Sequence, residues 1–121
     1  MKHKLLFVLF FTLNLEATDY ASLLFHGNCT TCHFENKTVS APSISIVRER
    51  YRAAFADKDD FITYMSTWVK KPDEKTSIML DAIEKHGLMP ELAYDLETLK
   101  TIAAYIYDTD FRKSHVGHKP Q

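Results

Sequence analysis

Cysteine, glycine and strand-forming pattern are all scarce in this 121-residue chain. The only two cysteines are Cys29 and Cys32, so no disulfide framework staples the molecule. Apolar and polar residues nowhere alternate for long and β-branched residues do not cluster, which removes a sheet-based architecture. Neither sign of charge dominates, with 15 Lys and Arg against 16 Asp and Glu. That balance argues against nucleic acid as a partner. The apolar run from Leu5 to Leu13 falls far short of the roughly 20 residues a membrane span needs. No nucleophile–base pair, phosphate-binding loop, internal repeat or low-complexity tract is present, and no enzymatic activity is expected.

That apolar run follows Lys2 and Lys4 and precedes Leu15-Glu16-Ala17, the order of a secretory signal with a small residue at the cleavage point. Residues 1–17 are therefore expected to be removed on export to the periplasm; the alternative is an uncleaved interfacial anchor. No cysteine stands near the cleavage point to carry a lipoprotein anchor. Cleavage removes Lys2, Lys4 and Glu16, leaving 13 basic and 15 acidic residues and a net charge of about −2. About 104 residues remain, the size of one small domain. It is placed at 18–112, with 113–121 as a polar, frayed tail. His115 and His118 fall in that tail and are expected to bind nothing.

What is present is helical periodicity, so the expected class is all-α, with about five helices. Asp19 is suited to cap a first helix with Ala21, Leu24 and Phe25 on one face, ending near Gly27. A loop runs from Phe34 to Ala41, closed by Pro42. Ser43 or Ser45 then starts a helix whose inner side carries Ile44, Val47, Tyr51 and Phe55. Asp57 to Asp60 punctuate, and a third helix follows with Phe61, Met65, Trp68 and Val69 inward. Lys71-Pro72 should stop it, with Pro72 in the first turn of a fourth helix that carries Ile78, Met79, Ala82, Ile83 and His86. Gly87 ends that helix. Asp95 caps the last one, lined by Leu96, Leu99, Ile102, Ala103 and Ile106.

Cys29-Thr30-Thr31-Cys32-His33 carries the chemistry. Cys-x-x-Cys-His is the attachment signature for c-type haem: the two thiols form thioethers, and the histidine becomes an axial ligand of the iron. A thiol–disulfide site would use the same cysteines, but no βαβ pattern surrounds them. Iron held by His33 needs a sixth ligand. Met89, in His86-Gly87-Leu88-Met89-Pro90, lies on a loop just beyond a helix stop, where a soft thioether can be aimed at metal. Met65 and Met79 fall within helical apolar stripes, where methionine is more often a gap-filler. His86 could ligate only in place of Met89; its other role is a helix-end histidine facing the last carbonyls. His26 is too near the motif to reach the far side of a haem and reads as surface.

With those residues in view, the chain resembles the small bacterial monohaem cytochromes c of the His/Met type. Phe25, the Cys29–His33 motif, Pro42, the Gly87–Pro90 loop and Tyr105 carry the resemblance, and Ala21 stands where that family usually has glycine. The resemblance implies a small cytochrome c fold around one covalently bound haem c, with Phe25 and Tyr105 paired where the first and last helices cross. It implies that the Pro42 carbonyl accepts from the ring of His33, and that Trp68 and Tyr64 line the haem edge or bond a propionate. Core packing explains Trp68 as well. Arg48, Arg50 and Arg52 could neutralise propionates, but a solvated helix face explains most of them. Lys70, Lys71, Lys75 and Lys85 read as part of a mixed solvated face. The implied function is one-electron carriage between a donor and an acceptor redox protein. The competing readings are a haem subunit permanently docked in a larger oxidoreductase and a gas-binding sensor with a displaceable Met89.

Overall fold

Local capping chemistry decides where most of the helices begin. A computed structural model of the chain describes residues 17–113, and within them five α-helices and no strand are found. Helix α1 spans Ala17–Asn28, α2 Ile44–Ala54, α3 Lys58–Lys70, α4 Leu80–His86 and α5 Leu96–Asp108. The expected export segment, apart from Ala17, and the tail beyond Lys113 lie outside the described residues. None of the described helices is long and apolar enough to cross a membrane.

The Ser43 hydroxyl accepts from the Ile46 N–H, the Asp57 carboxylate from the Asp59 and Asp60 N–H groups, and the Asp95 carboxylate from the Thr98 N–H. Each satisfies donors that a helix start leaves without partners. Asp59 and Asp60 therefore sit inside the first turn of α3, not in a separating segment. Asp19 likewise falls within α1 and does not precede it. Gly87 ends α4 with φ 86°, a left-handed conformation that favours glycine, and its N–H takes the Ile83 carbonyl.

Helix α5 is the spine, packing against α1 and most extensively against α3. Its inner face is Leu99, Ile102, Ala103 and Ile106; Leu96, expected with them, is the first residue of the helix and is exposed. Where α1 meets α5, Phe25 is fully buried against Tyr105, ring centroids 5.4 Å apart, and against Phe111 at 5.3 Å. Ala21 is buried on the same helix. Burying a phenylalanine this completely stabilises the fold by about 1.5–3 kcal/mol. Phe61 on α3, also fully buried, packs edge-on against Tyr107 and Tyr51. At the far end of α5, the Arg48 guanidinium donates twice to the Tyr107 carbonyl, a cation closing a helix C-terminus.

The segment after Pro72 departs from expectation. No α-helix starts there: a single 3-10 turn, Glu74–Thr76, is followed by an irregular stretch, and α4 begins only at Leu80. The aromatic side chains of α3 account for this. The Trp68 indole N–H donates to the Asp73 carbonyl at 3.0 Å, and the Tyr64 hydroxyl to the Thr76 carbonyl at 2.6 Å. Those carbonyls are oriented toward α3, and the Asp73 carboxylate and Ser77 hydroxyl take the N–H groups of Lys75 and Met79. An α-helical ladder through these residues would need the same groups.

Candidate functional site

Cys29, Cys32, His33, Pro42, Trp68 and Met89 all line one cavity of about 310 Å³. Helix α1 delivers the first three. It ends at Asn28, and the Cys29 carbonyl accepts the N–H groups of Cys32 and His33, so the motif folds into a turn directly beneath the helix. The two cysteines are free thiols, Cys29 half-buried and Cys32 exposed. Burial, and secondarily the neighbouring Cys32, push the Cys29 thiol up to about 11, so it stays protonated at neutral pH.

The loop from Phe34 to Ala41 is held by the start of α2. Ile44 and Ser45 donate their N–H groups to the carbonyls of Phe34 and Glu35. The Ser45 hydroxyl lies 2.6 Å from both the Glu35 carbonyl and Asn36 Oδ1, while the Asn36 amide donates to the Phe111 carbonyl. Held in this way, the Pro42 carbonyl stands 2.7 Å from His33 Nδ1. A carbonyl only accepts, so Nδ1 carries the proton. The Nε2 lone pair is left available, the tautomer a metal-binding imidazole needs.

Apolar side chains from three helices make most of the remaining wall: Ile44 and Val47 of α2, Met65 and Val69 of α3, and Leu99 and Ile102 of α5. Helix α4 adds Ala82, Ile83 and His86, and the following coil adds Leu88, Met89 and Pro90. Several residues at the mouth are exposed, among them Cys32, Leu88 and Pro90, so the cavity opens to solvent there. Met65 and Met79 are both buried in the wall, Met79 at the position before α4 and outside any helical stripe. Tyr51 also lines the cavity, and burial raises its hydroxyl well above the ordinary range, so the ring stays neutral.

Other candidates fall elsewhere. Tyr64 does not line the cavity. Arg48 holds Tyr107, Arg50 pairs with Asp81 at 2.8 Å, and Arg52 lies over the Tyr107 ring, so none of the three faces the cavity. Lys70 donates to the Tyr94 carbonyl. His26 is exposed and bridges the Ser22 carbonyl and the Glu35 carboxylate, which ties α1 to the loop. The His86 imidazole does not act on the last carbonyls of its helix; it lines the cavity and forms no hydrogen bond with any described residue.

Several wall residues escaped the sequence reading, among them Ser66 and Asn28. Ser66 is 1% exposed and satisfies its hydroxyl on the Ile62 carbonyl four residues back. Its helical spacing from Ile62 and Val69 was the available signal. Asn28 accepts from the Tyr94 hydroxyl at 2.5 Å, joining the end of α1 to the coil before α5, a pairing no local pattern encodes. Compared with protein-family models, curated proteins and solved structures, the chain matches none.

Proposed function

We propose that this protein is an exported monohaem c-type cytochrome that carries single electrons between a donor and an acceptor redox protein in the periplasm. The observation that carries the reading is the convergence of Cys29, Cys32, His33 and Met89, from separate parts of the chain, on one cavity with apolar walls. Two free thiols, an imidazole whose proton is fixed on the far nitrogen, and a thioether form the donor set of a His/Met haem. A bound haem would supply a one-electron Fe(II)/Fe(III) couple.

The chain's own residues define how that couple behaves. Cys29 and Cys32 would hold the group by thioethers, and the Pro42 carbonyl keeps the His33 ring in one tautomer and strengthens its donor nitrogen. The aliphatic wall would limit the water around a bound haem, and the soft sulfur of Met89 would favour its reduced iron, both raising the potential. His33 and Met89 would both hold the iron of a bound haem, a donor pair suited to electron transfer rather than to binding oxygen. The exposed rim at Cys32, Leu88 and Pro90 is where an electron would enter or leave.

Replacing Met89 by alanine tests the ligand set. The purified wild-type holoprotein should show the weak red sulfur-to-iron band when oxidised and should bind little carbon monoxide when reduced. Met89→Ala should abolish the band and lower the potential. An unchanged spectrum and potential would place the sixth ligand elsewhere, and avid carbon monoxide binding by the wild type would favour a gas sensor.

A further inference from the structure

We infer that His86 is a reserve axial ligand, whose imidazole takes the sixth position when the Met89 sulfur is lost or withdrawn. The inference rests on the haem reading above and concerns the same cavity. His86 is the last residue of α4 and Met89 follows three positions later; both side chains line the cavity. Between them, Gly87 ends the helix with φ 86°, and residues 87–90 continue as irregular coil. Two donors thus stand three residues apart on the wall of one cavity.

The His86 ring is not engaged with the end of its own helix. The Ile83 carbonyl is taken at 2.7 Å by the Gly87 N–H, and the His86 imidazole forms neither a hydrogen bond nor an ion pair with any described residue. His86 is half-buried, and no buried side-chain nitrogen lacks a partner among the described residues, so a metal would compete for this imidazole with solvent and not with a protein group. The other sulfur donors in the wall are less free to move. Met65 is 5% exposed within α3, and Met79 is 7% exposed ahead of α4. Helix α4, by contrast, has seven residues, buries none of them and has no side-chain N-cap. A short segment so lightly held can shift a side chain at small cost.

The exchange is a substitution at the metal: the bond to the Met89 sulfur breaks and one to a neutral imidazole nitrogen forms, with no electron transferred. Nitrogen in place of thioether lowers the potential, so exchange between Met89 and His86 would couple ligand identity to redox poise. The test uses the full chain matured with haem, as Met89→Ala, His86→Phe and the double variant, read by ferric paramagnetic resonance and optical spectra. Met89→Ala should remain low-spin at neutral pH without the red band, the double variant should become high-spin, and His86→Phe should keep the wild-type spectrum. Added imidazole should return the double variant to low spin, which shows that its pocket is intact. A high-spin Met89→Ala protein overturns the inference, as does a double variant that is low-spin without imidazole. A wild-type chain purified without covalent haem overturns the haem reading itself, and the reserve ligand with it.

Discussion

Helices α4 and α5 lie close together in the sequence and are held in opposite ways. Helix α5 has thirteen residues and a carboxylate cap at Asp95, packs against α1 and α3, and has four buried side chains that also line the cavity. Helix α4 has seven residues, no side-chain cap and no buried residue, and its apolar members Ala82 and Ile83 face the cavity. A helix that short is marginal on its own, so its stability comes from what it faces. Both helices border the site, but α5 is also held by packing on other helices, whereas α4 buries nothing against them. In the cytochrome reading, the covalent haem is the object against which α4 and the Met89 coil are held.

The largest test of that contrast removes the attachment. Cys29→Ala/Cys32→Ala should abolish covalent haem completely. Hydrogen exchange should then show α4 amides opening freely while the central amides of α5 remain the most protected. Equal protection of the two helices would end the comparison. Next comes Phe25→Ala at the α1–α5 crossing, expected to cost about 3–5 kcal/mol in denaturant unfolding. Within the unattached protein, Ile102→Ala on α5 should cost about 2–5 kcal/mol, whereas Ile83→Ala on α4 should cost about 1 kcal/mol or less. Similar losses at the two positions would mean that α4 is packed as firmly as α5.

The smallest effect is electrostatic. The Thr98 N–H, and then its hydroxyl, hold the Asp95 carboxylate below its ordinary range, and the Arg50 guanidinium does the same for Asp81 on α4. A carboxyl that is more acidic when folded contributes stability above its unfolded value, and loses it as pH falls through the lower folded value. Urea midpoints should therefore decline on acidification below about pH 4, the ordinary carboxylate range. Asp95→Asn, which keeps a capping oxygen but cannot titrate, should flatten that decline modestly. A decline as steep as the wild type's would assign acid sensitivity to other groups.

Much of the fold was legible because its signals are local. Ser43, Asp95 and Gly87 mark helix ends by chemistry confined to a few residues, and the inner faces of α2, α3 and α5 follow from helical spacing. The segment from Pro72 to Met79 was not legible. Its backbone partners are Trp68 and Tyr64, which reach across from α3 and draw off the carbonyls a helix would use. The candidate site divides in the same way. Cys29 to His33 is contiguous and declares itself, and Met89 was singled out by its place beyond a helix stop. Ser66 and the Asn28–Tyr94 bond depend on which helices meet, which residue order alone does not state.

The most direct test is the intact mass of the mature protein, purified from cells that attach haem to exported chains, before and after extraction with acidified organic solvent. The account predicts one haem added to the polypeptide mass, retained through extraction, with no thiol left to titrate at Cys29 or Cys32. A bare polypeptide mass with both thiols free, from cells that mature other c-type cytochromes normally, would contradict it.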